Sequence, residues 1–184
     1  MHQQALVEKC IEQDRQAQRF LYESYSPQMM AVCYRYAADQ DEAADILQEG
    51  FVKVFQNLEK YQDRGSLEGW IRRIMVNTAI DHLRRRKKRQ QEMELNETIV
   101  DSMVEDAIDH LEAEFLLHLV QQLPDGYRTV FNLYGIEGYS HQEIAQQLGI
   151  SEGTSRSQYT RARAQLQRLI KAAYQQKTVY RDVI

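Results

Sequence analysis

Ser140-His141-Gln142-Glu143-Ile144-Ala145-Gln146-Gln147-Leu148-Gly149-Ile150-Ser151-Glu152-Gly153-Thr154-Ser155-Arg156 reads as two helices joined by a tight turn. Ser140 and Glu143 have capping-box spacing: the hydroxyl takes the N3 amide, and the carboxylate reaches back to the cap. Ile144, Ala145 and Leu148 form the inner face of a short helix. Gly149 supplies the positive φ of the turn, Ile150 plugs the core and Ser151 caps the next helix. That helix begins near Glu152 and carries Arg156, Arg161, Arg163, Arg168 and Lys171. In such a helix-turn-helix the first helix braces the backbone while the second enters a major groove. An ordinary helical hairpin is the plain alternative. A small Ala, a turn Gly, a plugging Ile and a capped basic second helix occurring together favour the DNA-reading arrangement.

Outward positions of the second helix are Thr154, Arg156, Ser157, Thr160 and Arg161, with Ser151 at its cap. Arg156 is the best candidate for a base edge, because a guanidinium bridges two acceptors on guanine. Arg161, Arg163 and Lys171 suit phosphates, which position a protein without reading sequence. Simple solvation is the alternative for any one of them.

A second pattern lies upstream. The single tryptophan, Trp70, opens a stretch that ends in Arg84-Arg85-Arg86-Lys87-Lys88-Arg89. At 100° per residue Trp70, Arg73, Asn77, Asp81 and Arg84 form one stripe, and Leu67, Ile71, Ile74, Met75 and Thr78 form an apolar stripe beside it. Aromatic faces stack on unpaired bases, amides read base edges and cations neutralise phosphates, so the stripe suits a separated nucleic-acid strand. A solvated charged face with one core Trp is the alternative.

Charge is segregated along the 184 residues, although the net charge is only −4. Residues 84–89 carry +6; residues 90–126 hold ten acids and no Lys or Arg; from Tyr127 onward eight basic residues stand against four acidic. Two cation-rich surfaces joined by an acidic connector follow from this. Gly (8) and Pro (2) are scarce and no alternating strand pattern is visible, so the expected fold is all-α: two small helical domains, the second containing the helix-turn-helix. The longest apolar run, near Phe115 to Val120, is too short to span a bilayer. Met1-His2-Gln3-Gln4 lacks the layout of a secretory signal, and a cytoplasmic protein without membrane contact of its own is expected. Cys10 and Cys33 suggest no disulfide framework, and no Cys/His cluster has zinc spacing, so neither metal nor cofactor is expected.

The expected helices are 3–22; Pro27 to about Ala38, with Pro27 at its start; and about Glu42 to Gln56. The third has Ile46, Leu47, Phe51, Val54 and Phe55 on one face, and Asp45, Gln48, Glu49, Val52 and Lys53 on the other. Asn57 to Ser66 is a loop containing Tyr61, Asp63, Arg64 and Gly65. Ser66 caps a fourth helix that extends to about Lys88. These elements make a first domain, 1–89. Residues 90–104 are an acidic linker, and 105–184 the second domain. Its first helix runs from near Glu105 to Leu123. Pro124-Asp125-Gly126 is a turn into a helix through Tyr127, Val130, Phe131 and Leu133 that Gly135 ends. A tail follows Ala173.

These patterns, in this order, resemble bacterial sigma factors of the small extracytoplasmic-function group, which have only the second and fourth conserved regions. The resemblance covers about Phe20 to Leu169. Asp45-Ile46-Leu47-Gln48-Glu49-Gly50-Phe51 is similar to the group's clamp-binding segment. Gly65-Ser66-Leu67, Trp70-Ile71, Arg73-Ile74 and Asn77 are similar to its promoter-melting segment, with Asp81 and Leu83-Arg84-Arg85 at the basic end. Leu123-Pro124 and Arg128 through Phe131 resemble the lead-in helix, and Gly149-Ile150-Ser151-Glu152-Gly153-Thr154 the turn.

The resemblance implies a dissociable specificity subunit without enzymatic activity. Its partners would be the clamp helices and flap of core RNA polymerase, promoter DNA both duplex and melted, and an anti-sigma factor. Asp45, Gln48, Glu49 and Val52 would meet polymerase. Tyr61, Arg64, Trp70, Arg73, Asn77, Arg84 and Arg85 would hold the opened -10 element, and Ser151, Thr154, Arg156, Ser157, Thr160, Arg161 and Arg163 would meet the -35 element. The linker would lie where nascent RNA emerges. Two positions depart from the group. Ser155 replaces a usual buried Val and, if buried, would need a local backbone hydrogen bond; Gln158 stands where Arg is frequent.

Two competing functions differ in what they leave unexplained. A stand-alone helix-turn-helix regulator, with residues 1–88 as a sensor or dimerisation module, ignores the Trp70–Arg89 stripe. A helical nucleic-acid enzyme using Asp81 and His82, or His110 with Glu112 and Glu114, lacks paired carboxylates and metal spacing, and adjacent helical residues point about 100° apart.

Overall fold

The computed structural model of the chain describes residues 3–61, 65–94 and 112–181, and every regular element among them is helical. The chain divides into two compact units, Met1–Ile99 and Val100–Ile184.

In the first unit α1 (Gln3–Ile11) turns Leu6, Val7 and Cys10 inward. The single helix expected over 3–22 is in fact two. Gln13 adopts φ +62°, and Asp14 caps α2 (Arg15–Tyr34), its carboxylate accepting from the amides of Gln16 at 2.8 Å and Ala17 at 2.9 Å. The cap satisfies amides that a continuing helix would have bonded to the preceding turn. The break therefore lies at an Asp cap, with Gln in the left-handed conformation that Gly normally supplies.

Pro27 does not start a helix; it sits inside α2. An interior Pro costs about 3 kcal/mol. Leu21 on one side and Met29, Val32 and Cys33 on the other are all buried, and that packing offsets the cost while Pro27 itself faces solvent.

α3 (Gln40–Asn57) is capped by Asp39, whose carboxylate accepts from the Glu42 amide at 2.8 Å, while the Glu42 carboxylate accepts from the Ala38 amide at 2.5 Å. It buries Ala43, Ile46, Leu47, Phe51 and Val54. A single 3-10 turn (Leu58–Lys60) follows. Ser66 precedes α4 (Leu67–Glu94) and, as expected, its hydroxyl accepts from the Gly69 amide at 3.0 Å. The helix outlasts the expected end at Lys88, because Gln90 to Glu94 offer good helix formers and no stop. α2, α3 and α4 pack together, and α1 lies against α2 and the 3-10 turn. Gly50 lets α3 approach α4: a Cβ there would stand 2.2 Å from the Met75 sulfur. Cys10 and Cys33 are buried free thiols, and burial pushes Cys33 up to about 12, which leaves it inert.

The second unit holds α5 (Glu112–Gln121), α6 (Asp125–Phe131), α7 (His141–Leu148) and α8 (Glu152–Arg181). The helix start expected near Glu105 and most of the acidic linker lie outside the described residues. α8 is the hub against which α5, α6 and α7 pack. Leu119, Val120, Leu123, Ala162 and Leu166 form the core, flanked by Phe115, Tyr127, Phe131, Leu169 and Ile170.

Buried Arg128 joins α6 to the end of α5. Its guanidinium donates to the Gln121 carbonyl at 3.1 Å, to the Gln121 side chain, and to Asp125 at 2.8 Å. Gly135 does not end α6, which widens into a π turn, Asn132–Ile136. The chain turns instead at Gly138, φ +78°, where the Tyr139 amide donates to the Leu133 carbonyl at 2.9 Å. The expected tail after Ala173 is helical to Arg181, since nothing from Ala172 to Lys177 breaks a helix.

Candidate nucleic-acid and partner interfaces

The helix-turn-helix forms by the local chemistry expected of it. The Ser140–Glu143 capping box closes in both directions: the Glu143 amide donates to the Ser140 hydroxyl at 3.2 Å, and the Ser140 amide donates to the Glu143 carboxylate at 2.8 Å. Gly149 takes the left-handed conformation, φ +65°, and the Ile150 amide closes on the Ala145 carbonyl. Ser151 caps α8, its hydroxyl accepting from the Thr154 amide at 3.0 Å. Thr154 is half-buried and its hydroxyl meets that of Ser151 at 2.8 Å.

Arg156, Ser157, Thr160, Arg161 and Arg163 are exposed. Arg156 pairs with Glu152 one turn back at 2.5 Å, which pre-extends its guanidinium along the surface. Ser157 and Thr160 donate to the carbonyls of Thr154 and Arg156, leaving their oxygens able to accept but not to donate outward. Arg161 reaches the Tyr127 hydroxyl at 3.5 Å, and Arg163 lies 5.9 Å from the centre of the Tyr159 ring.

Ser155 is fully buried, but its partner is not the local backbone. Its hydroxyl meets Nδ1 of His141 at 2.9 Å. His141 is itself buried, stacked on Tyr134 with ring centres 4.1 Å apart and planes at 9°, and its edge approaches Tyr159. Burial pushes its pKa down, Arg156 adds to that, and Glu152 opposes it. His141 was missed as an inner residue although it completes the spacing 141, 144, 145, 148 of one helix face.

In the first unit Trp70 is half-buried at the head of α4 and contacts Tyr61 across the loop, ring centres 5.6 Å apart and tilted by 57°. Tyr61 donates to the Gly65 carbonyl at 2.7 Å and accepts from the Gln3 amide group at 3.0 Å, so α1 also holds this loop. Arg64 lies outside the described residues. Arg73, Asn77, Arg84 and Arg85 are exposed, whereas Leu67, Ile71, Met75 and Thr78 are buried and Ile74 half-buried, as the two stripes require.

Asp81 pairs with Arg84 at 3.4 Å and Lys53 at 3.5 Å, whereas His82 turns to Glu49. The two do not share a site, and His110 with the side chains of Glu112 and Glu114 lies outside the described residues. Among the described residues no group of His, Cys, Asp and Glu is arranged to hold a metal, and no helix is long and apolar enough to cross a membrane.

On the outer face of α3, Asp45 and Gln48 are exposed and Val52 is 52% exposed. Glu49 differs from them. Its carboxylate meets Lys53, His82 and Arg85, each at 2.8 Å. Burial raises its pKa, but the hydrogen bonds from Lys53, Arg85 and His82 outweigh that and bring it down to about 2. Arg86 similarly binds Glu42. Glu49 and Arg85, expected to serve different partners, are thus joined to each other. Between the start of α3 and the end of α4 lies an open groove of about 760 Å³, with Asp39, Asp41 and Asp45 on one wall and Arg85, Lys88 and Arg89 on the other.

Known proteins match both units. The Sigma-70 region 2 model matches residues 21–89, and the Sigma-70 region 4 model matches residues 115–166. The chain is 30% identical over 172 residues to the RNA polymerase sigma-H factor of Pseudomonas aeruginosa, covering 87% of this chain and 89% of that protein. To the extracytoplasmic-function RNA polymerase sigma-E factor of Haemophilus influenzae it is 29% identical over 186 residues, covering 91% and 94%. To factor SigE of Mycolicibacterium smegmatis it is 33% identical over 152 residues, but spans only 58% of that longer protein. In fold it is similar to the sigma factor RpoE of Bartonella quintana, solved in complex with the anti-sigma factor NepR: TM-score 0.54, 22% identity, 83% of this chain and 96% of that one. With both regions matched and a relative covered over nearly its whole length, the chain belongs to the sigma-70 family as an RNA polymerase sigma factor of the extracytoplasmic-function group.

Proposed function

We propose that this sigma factor divides promoter recognition between its two units, α8 meeting the duplex -35 element while α4 and the loop before it hold an unpaired base of the -10 element. The observation that carries the reading is the Trp70–Tyr61 pair, half-buried at the head of exposed Arg73 and Asn77. Flipping a base costs a few kcal/mol, and stacking on an aromatic side chain returns about 1–3 kcal/mol. One aromatic platform with nearby cations is therefore of the right size to tip strand opening.

Asp45, Gln48 and Val52 on α3 meet the polymerase clamp, with Glu49 supporting them from behind, and the second unit rests on the flap. Arg156 reads a base edge, while Arg161 and Arg163 bind phosphates. The domains are residues 1–89 and 105–184, and the acidic segment between them follows the RNA exit path. The protein does no covalent chemistry, works in the cytoplasm, and takes an anti-sigma factor as a further partner, as the similarly folded RpoE does. Exposed Val52 amid polar residues supports a protein contact on α3.

The test is transcription with purified core polymerase on a promoter library, with and without this protein. Enrichment of a two-part promoter, dependent on the protein, is the expected result. Specific binding to duplex DNA without polymerase, and no polymerase-dependent initiation, would point instead to a stand-alone regulator.

A further inference from the structure

We propose that the buried His141–Ser155 hydrogen bond is a positioning device that fixes the rotation of α8 about its axis, and thereby which upstream bases Thr154, Arg156 and Ser157 meet. The inference rests on reading α8 as the helix that meets DNA. Ser155 lies between the residues assigned to that contact, yet points the other way and is fully buried. Its partner is the first residue of α7, at 2.9 Å. Three elements converge on one imidazole: α8 through Ser155 and Tyr159, α7 through His141 itself, and the π turn through Tyr134. Tyr134 and Tyr159 also contact one another, ring centres 4.6 Å apart, which confines the imidazole further.

Apolar packing alone would hold α8 less sharply. Hydrophobic contact is non-directional, whereas a hydrogen bond weakens steeply with distance and angle. Rotating α8 here would strand both a buried hydroxyl and a buried ring nitrogen, so other rotations are penalised twice. The lever arm makes rotation matter. A guanidinium about 6 Å from a helix axis moves about 2 Å for each 20° of rotation, enough to break bidentate contact with a base edge.

The experiment uses the full chain assembled with core polymerase, transcribing a library randomised at the upstream element. Discrimination is the ratio of output from the preferred element to output from its single-base variants. Two variants remove the bond differently: Ser155→Ala deletes one oxygen, and His141→Phe with Ser155→Val keeps ring and bulk without any polar pair. Expected is a loss of discrimination of about fivefold or more in both, with core-polymerase affinity close to wild type; Ser155→Ala, which strands the ring nitrogen, also lowers the thermal midpoint, whereas the double variant, with both polar partners gone, keeps it near wild type. Wild-type discrimination in the double variant overturns the proposal, as does lowered stability with discrimination intact, since the bond would then serve folding alone. Arg156→Ala separates the two levels. If it reduces discrimination while the two bond-deleting variants do not, only the positioning role falls; if it too changes nothing, the reading of α8 falls and this inference with it.

Discussion

Replacing Gly50 with Ala tests the contact that brings α3 and α4 together. The added Cβ would lie 2.2 Å from Sδ and 3.0 Å from Cε of Met75, where ordinary contacts are about 3.5–4 Å. Met is flexible, but Met75 has no exposed surface, so it can yield only by pushing neighbours or by forcing the helices apart. Overpacking of this kind costs about 1–3 kcal/mol. Ala regains about 0.5–1 kcal/mol over Gly inside a helix, so the expected net loss is about 0.5–2 kcal/mol. The single tryptophan sits on α4, so urea unfolding followed by Trp70 fluorescence reports on this unit. Combining Gly50→Ala with Met75→Ala should cost less than the sum of the single changes by about 1–2 kcal/mol, because the new methyl enters space the sulfur leaves. A Gly50→Ala protein as stable as wild type, or more stable, would show that Met75 gives way freely and that this close approach constrains nothing.

Other outcomes follow from single side chains. Trp70→Ala should lower open-complex formation by about 5- to 150-fold, the loss of one stacking platform, with core-polymerase affinity unchanged; permanganate footprinting of unpaired thymines measures it, and unchanged opening removes Trp70 from the site. Arg128→Ala should destabilise the second unit by about 1.5–3 kcal/mol, through lost hydrogen bonds at a buried position. Circular dichroism would then show an earlier thermal step while Trp70 fluorescence stays put. Glu49 has its pKa held below its ordinary value, so its contribution is present above about pH 4.5 and is lost as the pH falls toward about 2. Its side chain is a third exposed, so the contribution is discounted to about 1 kcal/mol. The stability gap between wild type and Glu49→Gln should therefore shrink as acid is added between pH 5 and 3, and a gap independent of pH would break the link. Asp45→Lys with Val52→Asp should weaken core-polymerase binding at least tenfold in a pull-down titration, and intact binding would move that interface elsewhere.

What was legible in the sequence was local. The Ser140–Glu143 box, Gly149 and Ser151 each need only their neighbours within four residues, and each stands where the spacing places it. The Trp70 and Leu67 stripes were legible because a helix repeats its face regularly. The misread elements had weaker or misleading signals. Asp14 ends one helix and begins another without Gly, because Gln13 takes the left-handed conformation. Pro27 is tolerated inside a helix whose flanks are buried, a tertiary effect that no local rule contains. Glu49 is separated from His82 by 33 residues and from Arg85 by 36, and Ser155 from His141 by 14. Pairings across such separations depend on how helices pack, and spacing alone could not find them.

The Glu49 cluster changes how the two surfaces of the first unit must be understood. Treated separately, the polar face of α3 and the basic stripe of α4 are two binding surfaces that happen to be adjacent. Yet one carboxylate joins them through Lys53, His82 and Arg85, Asp81 ties Lys53 and Arg84 into the same cluster, and Met75 seats against Gly50 on the buried side. Glu49 stays ionised down to about pH 2, so the link persists throughout the physiological range. Charge reversal at Glu49 would therefore set a new cation against Lys53 and Arg85, and would disturb α4 as much as any contact made by α3. Asp45, Gln48 and Val52, which are exposed and outside that cluster, are the residues whose substitution would isolate the proposed contact. With α3 and α4 held as one piece, the proposed docking of polymerase on α3 would also determine where Trp70 stands, and strand capture would then be a consequence of docking rather than a separate event.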